Sequence, residues 1–155
     1  MRIALYQPDI AGNVGTIIRM AACFGVPCDI IHPCGFAFSE RGMKRAGMDY
    51  AAQASVSQHD NWSAFEHMAA STSRRIVLLS SKASVALPDA VFAAGDIILM
   101  GSESAGVPAA VHARADLRIH IPMQTGFRSL NVAVAAGIAL AEGLRQTGQF
   151  PKGAA

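Results

Sequence analysis

Apolar positions along this chain fall into two rhythms that alternate. The runs RIALY, PCDIIHP, RRIVLLSS, DIILMG and DLRIHIPM are short and nearly continuous, as buried strands are. Between them, apolar residues recur at helical spacing. In VGTIIRMAACFG, Val14, Ile17, Ile18, Ala21 and Ala22 share one face. Asn13 stands where an N-cap is expected, and Gly25 where a helix stops. WSAFEHMAAS predicts a helix begun by Asp60 or Ser63, and PAAVHARA a short one opened by Pro108 in its first turn. GFAFSERGMKRAGMDYAA reads as a loop followed by a short basic helix, with Ser39 as its cap and Gly47 as its stop. KASVALPDAVF holds at most one helical turn. SLNVAVAAGIALAEGLRQTG is a long final helix capped by Ser129.

Strands that are apolar throughout, alternating with helices, predict an α/β fold: a mostly parallel sheet with helices on both faces. Ligands of such sheets sit beyond the carboxyl ends of the strands. The polar loops after LYQ, LLSS, ILMG and HIPM all leave such ends.

Composition narrows the class. Hydrophobic residues are 52% and charged ones 15%, so much of the chain is buried within itself or against a second copy, and disorder is excluded. The length fits one domain over residues 1–150, with residues 151–155 a mobile tail. The net charge of +2 permits a nucleic-acid partner without requiring one. Arg41, Lys44 and Arg45 form the clearest basic cluster and are the candidates for phosphate contacts; Arg74 and Arg75 are adjacent. Cys23, Cys28 and Cys34 are odd in number and lack paired spacing, which points to free thiols and a cytoplasmic protein. No signal peptide is visible, and the apolar run over residues 132–141 is far short of the ~20 residues that span a bilayer. The five histidines show no metal spacing. The P-loop, the dinucleotide fingerprint G-x-G-x-x-G and the nucleophile elbow G-x-S-x-G are all absent.

Three loops carry polar residues in excess of what turns and caps need. Asn13 and Arg19 lie six residues apart after the first strand. In ILMGSESAGVP, Gly101 and Gly106 flank Glu103 and allow a backbone to approach a ligand closely. In IPMQTGFRSLN, a cap at Ser129 leaves Gly126, Arg128 and Asn131 for a polar ligand.

In that order, N-x-x-x-x-x-R, MGSESAGVP and IPMQTGFRSLNVAVAAG resemble the three motifs of the SPOUT RNA methyltransferases, in their 2′-O-ribose branch, over almost the whole chain. LYQPDIAGNVGTIIRMAACFG, IIHPCGF and KRAGMDY, without an added RNA-binding domain, look most like members that methylate the wobble nucleotide of leucine tRNAs. The resemblance implies a C-terminal deep trefoil knot and a homodimer through the first and last helices, where the small residues of AVAAGIALA permit close approach. It implies S-adenosylmethionine held by Leu79, Gly101, Glu103, Gly106, Ile121 and Ser129, with no metal. Arg19, Asn13, Ser129 and Asn131 are the implied catalytic positions, and a tRNA anticodon stem-loop the implied partner. Ala105 stands where an Arg is common in the family, and QTGF replaces a more usual stretch. The alternatives are a SPOUT enzyme for another tRNA or rRNA nucleotide, or a non-catalytic α/β ligand-binding module.

Overall fold

The computed structural model describes residues 1–38 and 54–153. Seven described strands form one sheet: β1 (Arg2–Tyr6), β2 (Cys28–Ile31), β3 (Val56–His59), β4 (Ile76–Leu79), β5 (Val85–Ala86), β6 (Ile97–Met100) and β7 (Leu117–His120). Four described α-helices accompany them: α1 (Ala11–Cys23), α2 (Trp62–Ser71), α3 (Ala109–Arg114) and α4 (Val132–Thr147). The strand order is β3-β2-β1-β6-β4-β7-β5, and all six pairings are parallel. The predicted α/β architecture is present. The basic cluster Arg41, Lys44 and Arg45, with its predicted helix, falls outside the described residues.

The runs are continuously apolar because the central strands are buried on both faces. On β1 and β6, Ile3, Leu5, Ile98 and Met100 join Ile17 and Ile18 of α1 and Ala136 and Leu140 of α4 on one side. Ala4, Tyr6, Ile97 and Leu99 face the other way, against Phe65 and Ala69 of α2 and Val111 of α3. Successive residues of a strand point to opposite faces, so each strand feeds two cores. Burial of each large aliphatic side chain is worth about 1.5–3 kcal/mol before entropy is counted.

Among the described residues two buried carboxylates interrupt this interior, each paired. Asp29, fully buried on β2, accepts from Arg2 Nε and Nη2 at 2.8 Å and contacts His59 Nε2 at 2.9 Å. Asp96 accepts from Arg75 Nε at 3.0 Å and Nη2 at 2.7 Å. The fork geometry of arginine satisfies both carboxylate oxygens, which is what burial of such a charge requires.

The helix boundaries correct several sequence readings. The first helix begins at Ala11 with Ile10 as N-cap, and no side chain caps it, so Asn13 lies inside the first turn. Gly25 does terminate it, at φ +66°. Neither Asp60 nor Ser63 caps α2; Asn61 does, its side chain accepting from the Ala64 N–H. Pro108 sits at the N-cap of α3 rather than within its first turn. The N-cap of α4 is Asn131, not Ser129.

Candidate active site

The sheet's order reverses at β1: β2 and β3 build to one side, while β6, β4, β7 and β5 build to the other. Such a switch point leaves a crevice beyond the carboxyl ends of the strands. Here it is a cleft of about 960 Å³, lined by the loops after β4, β6 and β7 and by the start of α1 and α4. Leu79, Gly101, Glu103, Gly106, Ile121, Ser129, Asn13 and Asn131 all line it. Three of the residues singled out in the sequence are not on its wall: Arg19, and Gly126 and Arg128 of the third loop. Arg19 is exposed on α1, six residues beyond Asn13. That is roughly 9 Å along the axis and about 120° around it.

One hydrogen-bonded chain ties the three motif loops together. The Asp9 N–H donates to Glu103 Oε2 at 2.9 Å, and Asn13 Nδ2 donates to Glu103 Oε1 at 2.9 Å. Asn131 Nδ2 donates to Asn13 Oδ1 at 3.0 Å. Asn131 Oδ1 accepts from the N–H groups of Ala133 at 2.8 Å and Val134 at 3.3 Å, capping α4. A carboxylate only accepts, so Glu103 fixes which end of the Asn13 amide faces it. That leaves the Asn13 oxygen for Asn131, so the Asn131 amide must donate inward and keep its own oxygen for the helix. A single acid on the β6 loop thereby sets the polarity of both amides and of the helix cap.

Asp9 braces the same loop from beside it. Its Oδ2 accepts from the Ser104 hydroxyl at 2.5 Å and the Ser104 N–H at 3.0 Å. These bonds, the hydroxyl's first, hold its carboxyl below the usual aspartate range. Sequence reasoning missed Asp9, whose partners are more than ninety residues away. The β6 loop also folds on itself: Ser102 and Gly106 exchange backbone hydrogen bonds at 2.9 Å, with Gly106 at φ +69°. A Cβ on Gly101 would meet the Gly106 backbone at 2.7 Å. Gly101 and Gly106 line the cleft, but the loop's own turn already requires their freedom.

The third loop turns at Gly126, φ +98°, where the Phe127 N–H donates to the Gln124 carbonyl. It then brings Ser129 and Leu130 to the cleft rim. The lining also includes Ser80, Ser81 and Lys82 after β4 and His112 on α3. Lys82 and His112 had no distinguishing spacing in the sequence.

Known proteins resemble this chain in sequence and fold. The family model described as SpoU rRNA Methylase matches residues 1–141. A tRNA (cytidine(34)-2'-O)-methyltransferase of Beijerinckia indica subsp. indica is 54% identical over 97% of this chain and 94% of its own length. A solved structure described as "Structural insights into the 2-OH methylation of C/U34 on tRNA" superposes with a TM-score of 0.87 at 40% identity, covering 94% of each chain. An AdoMet-bound rRNA methyltransferase from Sinorhizobium meliloti gives a TM-score of 0.84 at 28% identity over 93% of this chain and 55% of its own. With the motif loops, the sheet order and near full-length relatives in agreement, this chain belongs to the SpoU rRNA methylase family.

Proposed function

We propose that this chain transfers a methyl group from S-adenosylmethionine to the ribose 2′-oxygen of nucleotide 34 of tRNA, with leucine tRNAs as substrates, in the cytoplasm. The observation that carries the reading is the convergence of three separated segments on one cleft, locked by the chain from Glu103 through Asn13 to Asn131. The names of relatives that match along nearly the whole chain support nucleotide 34 of tRNA as the target.

The cleft suits a nucleoside cofactor. Its size falls in the ~300–1,000 Å³ range of small-molecule pockets. Its walls are largely apolar, from Leu79, Val107, Ile121, Val132 and Ala135. When bound, the cofactor supplies an electrophilic methyl on a good leaving group. The residues of this chain do the rest by position. Glu103, Asn13 and Asn131 spend their hydrogen bonds on one another and keep the loops rigid around the acceptor. Ser129 and Leu130 form the rim against which the target ribose is held. Placing the reacting atoms in line supplies a large share of the rate.

A guanidinium keeps its proton throughout the neutral range, so it is a donor and not a base. The role of Arg19 in this reading is to clamp the phosphate beside the target and orient the 2′-hydroxyl with its planar fork. A homodimer through α1 and α4 accounts for apolar side chains left in water: Ile10 is 49% exposed, Val134 52% and Ile138 40%. The C-terminal trefoil knot belongs to the same reading.

The test is nucleoside mass spectrometry of tRNA incubated with the purified protein and S-adenosylmethionine. The expected product is 2′-O-methylcytidine at position 34 of leucine tRNAs. Methylation at another position, or none from a protein that binds the cofactor, overturns the proposal.

A further inference from the structure

Among the described arginines, Arg128 alone has no hydrogen-bond or ion-pair partner. Arg2, Arg75, Arg114 and Arg145 grip carboxylates. Arg74 and Arg118 grip backbone carbonyls, and Arg19 is engaged too. Next to Arg128 in the chain stands Phe127, which is 74% exposed. An aromatic ring left so far in water gives up the burial that most such rings obtain. The protein thus holds out a flat apolar face and an unused planar cation at adjacent positions.

Their place in the fold says what they meet. Residues 122–131 of the third loop are all exposed. The loop is nonetheless shaped: Gly126 turns it at φ +98°, and the Phe127 N–H donates to the Gln124 carbonyl at 3.3 Å. Met123, Ser129 and Leu130 of this loop line the cleft, whereas Phe127 and Arg128 do not. The pair therefore stands outside the walls that would enclose a cofactor, beside the rim against which the acceptor ribose is held. An unpaired nucleotide offers both chemistries at once, a base that stacks on an aromatic ring and a phosphate that takes a guanidinium. A second copy of this chain fits less well, because covering Arg128 with protein would desolvate a charge that has no acid beside it.

We infer that Phe127 is a base-stacking residue and Arg128 its phosphate contact, together gripping an unpaired nucleotide next to the one that is methylated. The inference rests on the proposed tRNA 2′-O-methyltransferase reading and adds to it the element that holds the RNA strand at the cleft mouth. Every base has a π-face, so stacking on Phe127 supplies affinity and register, and the choice among tRNAs is made elsewhere.

The experiment is titration of a fluorescently labelled leucine-tRNA anticodon stem-loop with protein saturated in S-adenosylhomocysteine, repeated over a range of salt. Phe127→Leu keeps the apolar bulk and removes the ring. It is expected to weaken binding about tenfold and leave the salt slope unchanged, while Phe127→Trp binds within a few-fold of the unsubstituted protein. Arg128→Gln should flatten the slope of log affinity against log salt by about 0.7, the loss of one single-strand phosphate contact. Full stem-loop affinity in Phe127→Leu overturns the inference, and an unchanged slope in Arg128→Gln overturns the phosphate contact. Weaker S-adenosylhomocysteine binding by Phe127→Leu assigns the ring to the cofactor, and sedimentation of that variant as a smaller species assigns it to a contact between copies; either result overturns the inference. Unsubstituted protein that binds S-adenosylhomocysteine but not the stem-loop overturns the tRNA reading itself, and this inference with it, a result distinct from the others.

Discussion

Replacing Glu103 by Gln changes one oxygen to an amide nitrogen, yet its effect should reach a helix cap on a distant segment. In the native chain the acid accepts from both the Asp9 N–H and Asn13 Nδ2. Gln can accept at only one of those places. If its oxygen stays on Asp9, its NH₂ faces Asn13, whose amide must turn over. The Asn13 NH₂ then meets Asn131, and Asn131 must turn as well, pointing its own NH₂ at the α4 amides it now caps. Losing that cap costs about 1 kcal/mol, within a range of roughly 0.5–2. If the amides stay put instead, a donor faces a donor and a charge-assisted bond worth about 1.5–3 kcal/mol is lost. The protein takes the cheaper route, so Glu103→Gln should cost about 1–2 kcal/mol. That is about 2–8 °C in Tm for a chain of this size. Asn131→Asp alone keeps the cap but sets an oxygen against the Asn13 oxygen, and should cost about 1 kcal/mol. Together the two changes reverse the polarity of the chain with every group satisfied: the new amide at position 103 donates to Asn13, and Asn13 donates to the new carboxylate at position 131. The double variant should therefore be more stable than the summed singles by about 1 kcal/mol or more. Denaturant unfolding of the four proteins, at one protein concentration because association shifts apparent stability, measures this coupling. Costs that add to within about 0.5 kcal/mol would refute the relay.

Four further outcomes can be tested. Gly101→Ala brings a Cβ to 2.7 Å from the Gly106 backbone and should cost about 1–3 kcal/mol or more. Gly143→Ala meets the flexible end of Met1 at 2.6 Å, with the Phe92 ring in ordinary contact at 3.4 Å, and should be near neutral because helix propensity gains about 1 kcal/mol. Paired thermal melts check both. The Asp9 carboxyl is held below its ordinary value of 3.8, so its tie to Ser104 is fully present above that pH and is lost as pH falls through the lower folded value. NMR titration of the Asp9 carboxyl should show this, and Ser104→Ala, which removes the larger cause, should move its midpoint back up. Arg19→Lys should keep tRNA affinity within a few-fold but lower turnover at least tenfold, because Lys lacks the planar fork. Near-normal turnover in a single-turnover methylation assay rules out a specific guanidinium role.

The strands were legible wherever both faces are buried, as in RIALY and DIILMG. The strand Val56–His59 was not, because it lies at the sheet's edge, is only partly buried and carries Ser57, Gln58 and His59. The two-residue strand Val85–Ala86 is too short to leave a pattern. The start of each described helix differs from its sequence reading, and two of the differences bear on the site. Asn13 is a good cap residue by type, but it lies inside the first turn and bonds Asn131 across 118 positions, while Asn131 rather than Ser129 caps α4. The excess of polar residues around Asn131 was visible in the sequence, and the structure spends Asn131 itself on a relay.

The place of the first strand in the sheet constrains how this molecule is made. β1 sits near the middle, with β2 on one side and β6 on the other. A chain emerging from a ribosome at ~5–20 residues per second leaves the β6-facing edge of β1 open, on the order of 10 s, until residues 97–100 arrive. Throughout that wait Ile3 and Leu5 have no complete core to enter. Nascent-chain handling by chaperones is therefore a cost of this topology, and fragments that stop before β6 should aggregate rather than fold.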